Sequence, residues 1–159
     1  MTMPDGQSIA AVLGKSSDST EVQDLLNQLG AKPPKLKKGD VDAYVVLDKQ
    51  GLDLMFSDEA YVTKRSDLAI GEGKLLFMTA WFKAADPPTI ATYAEPLPHG
   101  LDFGKSQADL HQLLGEPEWA NPDVHRERWT IDGHQLLVRY TDKMSGLELV
   151  IVTVPKTKK

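Results

Sequence analysis

No cysteine occurs in the 159 residues. Disulfides, thiolate nucleophiles and cysteine-ligated metals are therefore excluded, and stability must come from burial alone. No apolar run approaches the ~18–20 residues that cross a bilayer. The opening MTMPDGQSIAAVLGK lacks a basic region and carries only a short apolar patch, so it does not read as a secretory signal, and a cytoplasmic location without membrane contact is expected; removal of an upstream signal stays an open alternative. Catalytic motifs are missing too. No G-x-S-x-G, no Walker sequence and no complete G-x-G-x-x-G is present. His99, His111, His125 and His134 show neither i, i+4 nor H-x-H spacing, so no metal set is visible and no cofactor is expected. The net charge of -5 argues against a nucleic-acid partner, because phosphate binding needs a basic surface.

What is present is a series of capped helices, stops and strands. The first eight residues read as frayed. Ile9, Val12 and Leu13, followed by Gly14, fit a short helix with a glycine stop. Asp18 and Glu21 stand in capping-box spacing, Val22, Leu25, Leu26 and Leu29 form one apolar stripe, and Gly30 with Pro33-Pro34 ends the helix. Residues 44–47 and the alternating Leu52, Leu54 and Phe56 read as a hairpin. Residues 74–82 form a continuous apolar strand. Residues 84–96, with Pro87-Pro88, read as a linker. Then Ser106 and Asp109 offer a second cap, Leu110, Leu113 and Leu114 a second stripe, and Gly115 and Pro117 a second stop. Strands follow at 126–131, around 136–140 and at 147–154.

The second half echoes the first. With Gly30 set on Gly115, Asp24 falls on Asp109, Leu25 on Leu110, Leu29 on Leu114 and Tyr44 on Trp129; one residue less of offset sets Leu54 on Val138, Phe56 on Tyr140 and Asp58 on Asp142. Short helices and lone hairpins do not stand alone in water, so each helix must dock on its sheet. The pattern predicts an α+β fold of two tandem helix–β-meander repeats, an antiparallel sheet with helices packed on one face. The repeats would occupy residues 1–83 and 97–159, as two units or one continuous domain.

The phrase G-x-S-x-x-D-L-x-x-L-L-G-x-P at 104–117, with the phrases at 12–15, 21–30 and 51–58, resembles bacterial immunity-type proteins. These share the helix-plus-sheet fold of beta-lactamase inhibitory protein and of the outer-membrane assembly lipoprotein BamE. The resemblance implies a non-enzymatic binding protein that neutralises a cognate protein toxin, of the type VI or polymorphic kind, by occluding it. Two alternatives remain: an envelope-assembly scaffold of the BamE type, and a small hydrolase using histidine and carboxylates.

From the residues themselves, the binding surface is expected on the face of the first hairpin that turns away from Leu52, Leu54 and Phe56. Asp53 and Met55 point that way, the acidic Asp48, Asp58 and Glu59 cluster around the same hairpin, and Arg128 and Arg139 give the opposite sign on the second hairpin. Trp119, just past a helix stop, is the expected aromatic anchor, and Trp129 a core residue.

Overall fold

The computed structural model describes residues 4–64, 67–84 and 92–154. Helices α1 (Gly6–Ala11) and α2 (Thr20–Leu29) precede strands β1 (Asp42–Leu47) and β2 (Leu52–Asp58); α3 (Glu59–Thr63) and β3 (Leu75–Lys83) follow. The second half holds α4 (Gln107–Leu114), β4 (Trp119–Asn121), β5 (Arg126–Ile131), β6 (His134–Tyr140) and β7 (Leu147–Thr153). All seven strands join one antiparallel sheet in the order β1-β2-β3-β7-β6-β5-β4.

This corrects the expected fold class. The molecule is a sheet-dominated fold with four helices among the described residues, not two helix–β-meander repeats. The halves are unequal: three helices and three strands stand against one helix and four strands. Neither half closes on itself, because β3 pairs with β2 on one side and with β7 on the other. Aligned positions also differ in environment. Tyr44 is 57% exposed, whereas Trp129 is 4% exposed. Asp58 is buried and Asp142 is exposed. The aligned phrases are helix caps and stops, which recur wherever a short helix meets a strand.

Local chemistry explains the helices. The Ser19 hydroxyl, not Asp18, accepts the Val22 N–H at 3.3 Å, and Asp18 is engaged by the Ser16 hydroxyl instead. Gly30 stops α2 in the left-handed conformation, φ 70°. A reciprocal capping box forms at α4: Ser106 Oγ accepts from the Asp109 N–H, and Asp109 Oδ2 accepts from the Ser106 N–H. Residues 4–8 are docked rather than frayed. The Pro4 carbonyl accepts from the Tyr93 hydroxyl at 2.8 Å, Asp5 caps α1, and the Gly6 N–H donates to the Pro96 carbonyl at 2.7 Å. The region read as a linker is part of this docking at residues 92–96; residues 85–91 lie outside the described part.

One continuous core results. Ile9, Val22, Leu25, Leu26, Leu29 and Leu110 from the helices pack with Leu52, Leu54, Phe82, Val150, Val152, Leu136 and Trp129 from the sheet. Burial of this apolar surface is what holds short helices that have no stability of their own. Because residue direction alternates along a strand, the other face of every strand turns away from this core.

Candidate functional site

Cross-strand register lines up a single row across all seven strands on that outer face: Val46, Asp53, Trp81, Ile151, Leu137, Arg128 and Trp119. On one side lies the row Lys83, Leu149, Arg139, Arg126 and Asn121. On the other lies Tyr44, Met55, Thr79, Thr153, Gln135 and Thr130. Trp81, Ile151, Leu137 and Leu149 are half-buried and belong to no helix contact in the core. An open depression of ≈ 440 Å³ lies over this face, bordered by Tyr44, Asp53, Trp81, Arg139 and Leu149. Two irregularities, at Met55/Phe56 and at Arg139/Tyr140, interrupt the ladder beside it. Bulges of this kind strengthen local twist.

Three ion pairs hold charged side chains of the face in place, whereas Arg126 has no ion-pair partner among the described residues. Asp53 pairs with Lys83, Arg139 Nε donates to Glu148 at 2.6 Å, and Arg128 Nε donates to Glu118 at 3.2 Å. The Arg128 guanidinium also sits 5.5 Å from the Trp119 ring centre, a cation–π arrangement. Tyr44 and Trp81 are 6.4 Å apart, tilted by 39°.

The residues expected to bind a partner divide into two sets. Asp53, Met55, Arg128, Arg139 and Trp119 share the outer face. Asp48 is exposed in the β1–β2 turn. Asp58 is 1% exposed and cannot meet a partner: its Oδ2 accepts the Tyr61 N–H as the cap of α3, and its Oδ1 accepts the Gly71 N–H. Glu59 begins α3, where its Oε1 accepts the Lys74 N–H. Trp119 lies on a short strand rather than in a loop and is 38% exposed, and Trp129 is in the core. Trp81, at the centre of the face, is assigned to no side by the sequence, because a continuous apolar strand does not say which side is covered.

Two polar clusters inside the fold escaped the sequence reading. The first surrounds Glu127, 4% exposed on the inner face of β5. Its Oε1 accepts from the Tyr140 hydroxyl at 2.6 Å, its Oε2 accepts from Gln107 Nε2 at 2.9 Å, and His111 Nε2 lies 2.9 and 3.0 Å from the two oxygens. Burial first, and then Glu127, push the Tyr140 phenol well above its ordinary value. A carboxylate beside an imidazole is acid–base equipment in other settings. Here both oxygens are occupied by internal donors, so the cluster ties α4 to the sheet. The signal was available: Glu127 has the same parity as Trp129 in an alternating strand.

The second cluster is His99 and His134, whose Nε2 atoms stand 2.8 Å apart. His99 has φ 61° in the turn at residues 98–100, next to α1, and His134 opens β6. Thirty-five residues separate them, beyond any spacing rule. Desolvation first, then the neighbouring His134, hold His99 below the ordinary imidazole value; desolvation holds His134 down, opposed by Asp132. The sign follows from linkage. Both rings bind protons more readily in the unfolded chain, where the ordinary value is near 6.5, so stability is fully present above that pH and is lost as pH falls below it. A melting temperature that drops between about pH 7 and pH 5 is expected. His99→Gln with His134→Gln should flatten the drop over that window; an unchanged slope in calorimetry would assign it to other groups. Among the described residues no group of three or more His, Cys, Asp or Glu side chains is placed to hold a metal.

In sequence, the chain matches no protein-family model and no curated protein. In shape it is similar to an extracellular protein containing an SCP domain from Bacillus anthracis, with TM-score 0.58 and 10% identity, covering 97% of this chain and 48% of the other. It is also similar to a cysteine-rich secretory protein from Staphylococcus aureus, with TM-score 0.56 and 9% identity, covering 97% of this chain and 51% of the other. The chain thus spans about half the length of these solved proteins, and at such identities the likeness carries the fold alone. It overturns the resemblance to immunity-type proteins, beta-lactamase inhibitory protein and BamE, and so removes the ground on which the toxin-inhibitor reading stood. The phrases that carried it describe local caps and turns, which do not specify how elements assemble. Both neighbours are described as extracellular or secretory, so the expected cytoplasmic location gains no support from them. No described helix is long and apolar enough to cross a membrane.

Proposed function

We propose that the protein is a non-enzymatic binding module that receives a protein partner on the outer face of its sheet. The observation that carries this reading is the half-exposed row Trp81–Ile151–Leu137, flanked by internally paired charges and by the further aromatics Tyr44 and Trp119. Protein interfaces combine an apolar centre with a polar rim, and Trp, Tyr and Arg dominate their binding energy. The ion pairs at Asp53–Lys83 and Arg139–Glu148 fix the rim before a partner arrives, which lowers the ordering cost of association.

Photo-crosslinking side chains placed at Leu137 and at Ile151 should capture one and the same protein, and a crosslinker at Gln23 on the exposed side of α2 should not. For that partner, Trp81→Ala should weaken binding by roughly 30-fold in calorimetric titration, the loss typical of a central aromatic anchor. Capture of the same protein from Gln23, with no loss of affinity in Trp81→Ala, would remove the face from the interaction.

A further inference from the structure

A second surface adjoins the outer face at Tyr44, and it is the edge of the sheet rather than its face. Strand β1 is one of the two sheet edges. The other edge, β4, is blunted: it is three residues long, Pro122 follows it, and Arg128 covers its Trp119. Short edges, proline and charge are the usual protections against pairing with another chain. Strand β1 has little of this. It runs six residues in unbroken register with β2, and Tyr44 and Val46 are each 57% exposed. Among the described residues no hydrogen bond other than the β2 ladder reaches the backbone of residues 43–47. Alternate N–H and C=O groups on that side are therefore free to pair.

Beside this edge runs the segment at residues 31–40, held open by Pro33-Pro34 and without regular structure. Lys32, Lys35, Lys37 and Lys38 on it are all exposed, and none is in a salt bridge among the described residues. A depression of ≈ 520 Å³ separates the segment from the start of β1, with Pro34, Lys35 and Lys37 on one side and Asp42 and Tyr44 on the other. Asp40 and Asp42 also line it, the Asp42 carboxylate accepting from the Ser57 hydroxyl at 2.6 Å, and the four lysines at residues 32, 35, 37 and 38 outnumber these two carboxylates, so the segment keeps an excess of positive charge.

We infer that β1 takes up an extended acidic segment of a partner protein as an eighth strand, the backbone pairing along residues 43–47 and acidic side chains meeting Lys35 and Lys37. Strand addition to an exposed edge supplies affinity through the main chain, and side chains beside it supply selectivity. A second copy of this chain fits less well. In an antiparallel β1–β1 pair the lysine segment of one copy lies opposite the Asp48-Lys49 end of the other, which has no net charge and leaves the lysines unmatched.

The probe is a fluorescein-labelled peptide of alternating valine and threonine with two glutamates at one end, titrated into the full chain by anisotropy. Saturable binding is expected at or below about 1 mM. Replacing the glutamates by lysines, or making Lys35→Glu with Lys37→Glu in the protein, should weaken binding at least roughly tenfold. Methylating alternate backbone nitrogens of the peptide on its pairing edge should do the same, because it removes the donors a strand needs. Amide exchange should slow at residues 43–47 on binding and stay unchanged at residues 119–121. Absent binding, indifference to backbone methylation, or equal binding of the glutamate and lysine peptides would overturn the proposal. So would a concentration-dependent dimer in sedimentation that protects the same amides without peptide, since it would give the edge to a second copy.

Discussion

Glu127→Ala is expected to lower the unfolding free energy by about 2–3 kcal/mol, the cost of leaving the buried Tyr140 hydroxyl without its acceptor. The substitution leaves three donors without an acceptor: the Tyr140 hydroxyl, Gln107 Nε2 and His111 Nε2. Tyr140 is fully buried and cannot turn to water. The lost hydrogen bonds alone would account for only a fraction of the effect; the larger part is the desolvation of groups left unpaired. The damage should be directional. Gln107 and His111 both belong to α4, and only Leu110 of that helix is buried, so α4 depends on this polar tie more than α2 does with its four buried residues. Amide exchange should therefore open α4 in Glu127→Ala before it opens α2. Glu127→Gln keeps an acceptor for Tyr140 and should recover a good part of the stability. Denaturant unfolding with matched slopes measures both. A loss below about 1 kcal/mol in Glu127→Ala would show that water enters and replaces the carboxylate.

Gly6→Ala is expected to cost about 3 kcal/mol, at the upper end of what overpacking costs. A Cβ at this position would stand 2.4 Å from Pro98 Cδ, 2.5 Å from the Pro98 nitrogen and 2.8 Å from the Leu97 carbonyl carbon. Two of these atoms are backbone and one belongs to a closed ring, so no flexible side chain can move aside. The Gly6 N–H also donates to Pro96 from the same approach. Relief requires α1 to lift from the segment at residues 96–100. That exposes Ile9 and Ala10, now in the core, and loosens the His99 N–H bond to Gln7 at 2.9 Å. A six-residue helix does not persist without its docking. Helical content by circular dichroism should fall together with the melting temperature. A variant that melts like the native chain would mean that this turn can shift as a unit.

Local elements were legible because their causes are local. Ser106 and Asp109 are three residues apart, and the cap they form needs nothing else. Gly30 and Gly115 stop helices because glycine tolerates positive φ, 70° and 85° here. Alternation along residues 52–56 and 126–131 told which side chains oppose one another, and so placed Asp53 and Met55 away from Leu54, and Arg128 away from Trp129. The assembly was not legible. Two similar helix–strand phrases suggested two similar units, but the pairing that decides the fold joins Thr79 to Thr153 and Trp81 to Ile151, some seventy residues apart. No periodicity encodes a contact at that distance.

The candidate site divides in the same way. Composition and motif content by themselves directed attention to binding rather than chemistry, and strand parity assigned several residues to one surface. Only the tertiary structure made that surface continuous, by setting β3 beside β7 so that Trp81, Ile151 and Leu137 form one row. It withdrew Asp58 into a buried cap, brought His99 to His134, and gathered His111, Gln107 and Tyr140 around Glu127. Capping, stopping and turning depend on neighbours a few residues away and can be read in order along the chain. Which faces are covered, which charges are paired and which strand is left at an edge depend on loop closure between distant segments, where the burial of a common core selects the arrangement.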